Sequence, residues 1–251
     1  MLLGGGGVTR SVVVLGAGRS GTSMVAGLLA DAGLDPGGDL IPASPANPTG
    51  YFEDLGVNRL NDDLLAPCLA DSRVRVPRRL GWLAALPDPG GIAPTPAQRA
   101  RMRALLPEGP FCLKDPRLSY TLAAWRPVLP PGTAFACVFR DPARVVASVQ
   151  RDARRDPTYY EGYDPTPEAV FATWECAYRA ILDRHAVTGT WAFIDADDLV
   201  VHGDTGALSR LAGCEVAAGR IDAALRRSAP AERPPAAVRR LHDELRRRAS
   251  S

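Results

Sequence analysis

The chain has 251 residues, 46% of them apolar, enough to bury one full core and most simply read as one domain. Its 30 basic and 28 acidic residues leave a formal charge of +2, so no global field directs it to nucleic acid or a membrane surface. No apolar run approaches the ~18 residues of a membrane-spanning helix. Five scattered cysteines without a C-x-x-C pair, and three histidines far apart in sequence, offer no zinc constellation and read as reduced thiols of a cytoplasmic protein.

Residues 1–10, with Met1-Leu2-Leu3 ahead of four glycines, are too short for a signal-peptide core and read as a flexible terminus. A β-branched run at 12–15 then predicts a buried strand, and an apolar periodicity predicts a helix over 23–32. Between them lies Gly16-Ala-Gly-Arg-Ser-Gly-Thr-Ser23, a loop placed to hold an anion on a helix N-terminus. Gly16, Gly18 and Gly21 match a dinucleotide fingerprint, but no second strand ending in an acid follows at the required distance. The same residues have P-loop spacing, with Thr22 where the phosphate-binding lysine belongs. Residues 35–110 are rich in Pro, Gly and Asn and read as irregular and short helical structure over the sheet. Within them Tyr51-Phe-Glu-Asp54 puts a carboxylate, Glu53, beside two aromatic rings; Glu53 or Asp54 would open a helix running to about Leu60.

A helix is expected around 98–106 and a strand at 111–113, which delivers Lys114 to a strand end. Twenty-nine of the thirty basic residues are arginine, so this solitary lysine marks a position where a compact ammonium is required. A further strand at 134–139 leads into Arg140-Asp-Pro-Ala-Arg-Val-Val-Ala-Ser148, with Asp141 as helix cap and Pro142 as first helical residue. On that helix (142–154) Arg144 and Ser148 share a face, and Arg140 stands at its entry, a phosphate-binding arrangement. Tyr159, Tyr160 and Tyr163 then form a segment read as mobile and able to close on a substrate, with Trp82 and Trp125 as further aromatic candidates. A helix over 168–185, a strand at 191–194 and the acidic turn Asp195-Ala-Asp-Asp198 complete the alternation. After a proline-rich linker at 230–235, the basic helix ending the chain reads as a solvated face or frayed tail. Strands alternating with helices predict an α/β fold with a central parallel sheet, and all the polar clusters fall at the carboxyl ends of its strands.

Arg19-Ser-Gly-Thr-Ser23 resembles the 5′-phosphosulfate loop of sulfotransferases that use 3′-phosphoadenosine 5′-phosphosulfate, and Arg140, Pro142 and Ser148 match that family's 3′-phosphate element at full spacing. The similarity covers residues 11–54 and 109–150 and, more loosely, 191–199, and leans toward bacterial and carbohydrate-type members. It implies a three-layer sheet of P-loop NTPase-like topology, with one domain over residues 11–229. It also implies a co-substrate held by Gly18, Arg19, Ser20, Gly21, Thr22, Ser23, Arg140 and Ser148, with no metal required. Sulfuryl transfer to a hydroxyl of a small molecule, glycan or natural product is the activity implied, with Arg19 and Lys114 on the leaving group. No histidine follows Lys114 as it does in the phenol and steroid enzymes, so Glu53 is expected as base, with Asp115 second and better suited to orienting. Two other readings stay open: a nucleotide-dependent phosphotransferase with Asp195 on magnesium, and a nucleotide-binding module without catalysis.

Overall fold

The apolar runs form four strands, β1 (Val12–Leu15), β2 (Cys112–Lys114), β3 (Ala134–Phe139) and β4 (Trp191–Asp195). In the computed structural model, which describes residues 9–45, 47–221 and 232–250, all four pair in parallel in the order β2-β1-β3-β4. Val13 lies opposite Leu113 and Phe135. The pleat therefore sends Val13, Leu15, Leu113, Phe135 and Cys137 to one face and Val12, Val14, Cys112, Ala134 and Ala136 to the other. Both faces are covered by helices, which is why the strands read as unbroken apolar runs.

One face packs under α1 (Thr22–Asp31), α7 (Ala196–His202) and α8 (Gly206–Ala212). The other carries α2 (Leu55–Leu65), α3 (Pro96–Leu105), α4 (Leu118–Trp125), α5 (Pro142–Arg155), α6 (Pro167–Ala180) and α9 (Ala236–Ala249). The result is three layers, helix–sheet–helix, as the alternating pattern predicts. From β1 the chain goes to β2 on one side and later to β3 on the other, so the loop after β1 sits at the point where strand order reverses. Ligands collect there in open α/β sheets.

Several elements depart from their sequence reading. Residues 35–110 contain two regular helices besides 3-10 turns at Ala66–Asp71 and Arg78–Leu83. Asp54 caps α2, accepting from Gly56 and Val57 N–H at 2.8 and 3.1 Å, and Thr95 with Gln98 closes a capping box on α3. The expected 168–185 helix ends at Ala180 and continues as a π-turn, Ile181–His185. The C-terminal helix is no frayed tail: Val238, Leu241 and Leu245 are buried, and α9 packs on β4 and α6. Of the expected flexible terminus, residues 1–8 lie outside the described residues, while Arg10 N–H already bonds the Ala212 carbonyl at 2.8 Å. The tail of the assigned domain (222–229) and the start of the proline-rich linker (230–231) also lie outside them. Among the described residues no helix is long and apolar enough to cross a membrane.

Candidate functional site

The loop after β1 is pinned from beneath. Gly16 N–H donates to Ser119 Oγ (3.2 Å) and Ala17 N–H to the Tyr178 hydroxyl (3.3 Å), which itself donates to the Val138 carbonyl (2.7 Å). Its glycines are needed for room. A Cβ on Gly16 would lie 2.2 Å from the Val138 oxygen, on Gly18 2.3 Å from the Trp82 ring, and on Gly21 2.6 Å from Ala196. Arg19 takes a left-handed backbone (φ 68°), which costs a side-chain-bearing residue about 1–2 kcal/mol. Such strain is typical of ligand-holding turns. α1 begins after Gly21 without a side-chain cap, so its first-turn N–H groups and its dipole point toward the cleft mouth. Gly18, Gly21, Thr22 and Ser23 line that cleft, whereas Ser20 is fully buried and does not.

The left-handed turn carries the Arg19 guanidinium across to α5. Its Nε lies 3.1 Å from Ser148 Oγ and 3.0 Å from Asp152 Oδ2. Burial raises the Asp152 carboxyl above its ordinary range, against the pull of Arg19 and Arg151. Arg140 stands at the end of β3, where Asp141 caps α5 by accepting from Ala143 and Arg144 N–H (2.8 and 3.3 Å). Arg140 Nε meets Asp197 Oδ1 at 3.2 Å, and Arg144 Nε lies 3.7 Å from Asp197 Oδ2. The two anion elements read from sequence are thus joined by one guanidinium, and each already holds an internal carboxylate.

Lys114, at the end of β2, is 3% exposed. Its Nζ donates to Glu53 Oε1 (2.5 Å), Ser23 Oγ (3.1 Å) and the Tyr51 carbonyl (3.2 Å). Asn58 Nδ2 donates to the other Glu53 oxygen at 3.0 Å. Burial is the largest influence on Glu53 and raises its pKa; Lys114 opposes this, and nearby Asp115 adds to it. Asp115 itself is 1% exposed, does not line the cleft, and accepts from the Arg117 backbone (2.8 Å) and Nη1 (3.2 Å). That geometry orients Arg117, whose Nε reaches Asp62 Oδ1 at 2.6 Å, and keeps Asp115 away from the cleft surface.

These groups surround one cleft of about 730 Å³, a size suited to a nucleotide-scale ligand. The Trp82 ring closes over Gly18, and its Nε1 donates to the Tyr159 hydroxyl at 3.2 Å. The tyrosine segment is anchored rather than loose: Tyr160 and Tyr163 are buried, and Arg79 Nε bonds the Tyr159 carbonyl at 3.0 Å. Trp125 belongs to the core, fully buried with its Nε1 on Asn61 Oδ1 (2.8 Å). Asp195 caps α7 through Asp197 and Asp198 N–H (3.0 and 3.4 Å), lies 3.6 Å from Arg246, and does not line the cleft. Sequence reading overlooked Asn58, Asp62 and Asp152. The first two are spaced i,i+4 on α2 and the third follows Ser148 by one helical turn, a signal that becomes usable only once those helices are known to face the cleft.

The sequence matches no protein-family model and no curated protein. Its fold is similar to that of the sulfotransferase domain from the curacin biosynthetic pathway, with a TM-score of 0.55 and 12% identity over 96% of this chain and 98% of that one. A second likeness is to the sulfotransferase domain of the olefin synthase of Synechococcus PCC 7002, with a TM-score of 0.51 and 16% identity over 96% and 95% of the two chains. The likeness is one of fold, which in this chain is an α/β architecture around a four-stranded parallel sheet.

Proposed function

We propose, from a fold shared with sulfotransferase domains, that this chain moves a sulfuryl group from 3′-phosphoadenosine 5′-phosphosulfate to an acceptor hydroxyl. The observation that carries this reading is the placement of Lys114 Nζ, within hydrogen-bond reach of Ser23 on the anion loop and of the Glu53 carboxylate at once. The chain's solitary lysine therefore stands between a donor site and a candidate base. When bound, the co-substrate supplies a sulfuryl group already attached to a phosphate leaving group. The α1 N–H groups, Thr22 and Ser23 hold its phosphosulfate end and Arg140 and Ser148 its 3′-phosphate; Arg19, expected from the sequence on the leaving group, reaches instead to Ser148 and Asp152 and joins the 3′-phosphate side. Lys114 faces the oxygen on which charge builds as the S–O bond breaks, a position where one prepositioned donor contributes on the order of 3–4 kcal/mol. Glu53, its pKa raised by burial and its orientation set by Asn58, takes the proton of the acceptor hydroxyl. The acceptor, a small molecule, glycan or natural product, lies against Trp82 and Tyr159.

The phosphotransferase reading is weaker. Its proposed magnesium ligand, Asp195, is held by two helix N–H groups and lies outside the cleft lining. The five cysteines are all unpaired, which supports a reducing, cytoplasmic setting. A thermal-shift comparison tests the donor assignment. Adenosine 3′,5′-bisphosphate is expected to raise the melting temperature more than ATP with magnesium or NAD at equal concentration, and stabilisation by ATP-magnesium alone overturns the proposal.

A further inference from the structure

The cleft is electrically lopsided. On the donor side, arginines from the loop, β3 and α5 outnumber the carboxylates they meet, as suits a polyanionic nucleotide. On the acceptor side there is no such cationic excess. Glu53 pairs with Lys114, while Asp62 and Asp115 share the single cation Arg117; Arg79, which also lines the cleft, is turned to the Tyr159 and Glu161 carbonyls. Glu53 and Asp115 are buried in that network, while Asp62 lines the cleft with its side chain 18% exposed. Arg117 engages Asp62 Oδ1, and the other carboxylate oxygen takes no hydrogen bond from the described residues.

Position adds a length to this charge. Asn58, which holds Glu53, and Asp62 are one turn apart on α2, about 5–6 Å along the helix. An acceptor whose reacting hydroxyl lies at Glu53 thus meets Asp62 one helical turn further along α2. Trp82 and Tyr159, joined by a hydrogen bond, line the same cleft and offer aromatic surface to a ring-bearing acceptor.

We propose that Asp62 determines acceptor specificity: it accepts a hydrogen bond from a second donor group, hydroxyl or ammonium, on a neutral or cationic ring-bearing acceptor, and it repels acidic analogues. This rests on the sulfotransferase reading of the cleft, and the test separates the two. Methyl glycosides of glucose, glucosamine and glucuronic acid, identical in ring and differing in charge, are titrated calorimetrically into the full chain with and without saturating adenosine 3′,5′-bisphosphate. The glucosamine derivative is expected to bind at least about tenfold tighter than the glucuronide, since a hydrogen bond to a charged group is worth that much. In Asp62→Asn that ratio falls to about threefold or less, with bisphosphate binding unchanged; Asp62→Glu, which keeps the charge beside Arg117, retains the order. Wild-type preference for the glucuronide, an Asp62→Asn ratio equal to wild type, or no binding of any of the three overturns the assignment. Failure of the bisphosphate to bind overturns the donor reading instead, whatever the glycosides do.

Discussion

Glu53 is a carboxylate whose environment pulls it two ways. Burial raises its pKa, while the Lys114 ammonium at 2.5 Å favours its ionised form. A base must be ionised to accept a proton, so turnover should rise with pH through a midpoint above the ordinary glutamate value of 4.5. Glu53→Gln keeps the shape and the contact with Lys114 but cannot take the proton. It is expected to lower kcat by about 10²–10⁴-fold, to abolish the rising limb of the pH profile, and to leave bisphosphate affinity within a few-fold of wild type. Steady-state kinetics beside calorimetry read out both halves, and unchanged kcat moves the base to another residue. Lys114 was conspicuous in the sequence because composition isolates it; the partner that defines its role, 61 residues away, was a candidate for a different reason, its aromatic neighbours.

Elements were legible wherever a local rule sufficed. The strands announced themselves by apolar runs, β-branched in β1, and α5 by Asp141 and Pro142 at its start. α4 did not, because Leu118-Ser-Tyr-Thr-Leu-Ala-Ala-Trp is buried nearly all round and shows no amphipathic stripe. α9 misled for the opposite reason: its arginines dominate the sequence, yet three apolar residues decide where it sits. Leu241→Ala should cost about 2–5 kcal/mol in urea unfolding, whereas Arg246→Ala, half-exposed beside Asp195 and Asp198, should cost under about 1 kcal/mol. Equal losses would return α9 to the solvated helix its composition suggests. The π-turn after α6 has a pH signature of its own. It buries His185, whose Nε2 donates to the Ser119 carbonyl at 3.2 Å, and burial followed by Arg126 lowers the imidazole from 6.5 to about 4. The unfolded chain takes up this proton below pH 6.5 and the folded chain refuses it until about pH 4. The contribution to stability is therefore complete above 6.5 and lost as pH falls through that window, on the order of 3 kcal/mol in all. His185→Gln should remove this part of the pH dependence between pH 7 and 4; an unchanged slope would trace the acid loss to other groups. Because Ser119 Oγ also holds Gly16 N–H, the same histidine braces the anion loop from behind.

Across the whole molecule, the site exists only when the fold does. The ends of β1, β2, β3 and β4 contribute the loop, Lys114, Arg140 and the Asp195–Asp198 turn, so a nucleotide held there should stabilise the entire chain against unfolding. At a hundredfold excess over its Kd, adenosine 3′,5′-bisphosphate should add about 2.7 kcal/mol. On the proposed reading, one internal group opposes that binding. Asp197, on α7, sits 3.2 Å from Arg140 and 3.7 Å from Arg144, at the site proposed for the 3′-phosphate, so a ligand bound as proposed has to displace or share an internal anion. Removing the charge should therefore separate stability from affinity. Asp197→Asn is expected to loosen the ligand-free protein by about 1–3 kcal/mol, since a charged hydrogen-bonding partner of Arg140 is lost at a largely sheltered site. It should tighten bisphosphate binding by about three- to tenfold, because Arg140 loses a competing carboxylate and one repulsive charge is gone. Urea unfolding with and without ligand measures both quantities in one series. Weaker binding in Asp197→Asn would mean that the carboxylate holds Arg140 in its binding position, and that the internal anion organises the phosphate site instead of competing for it.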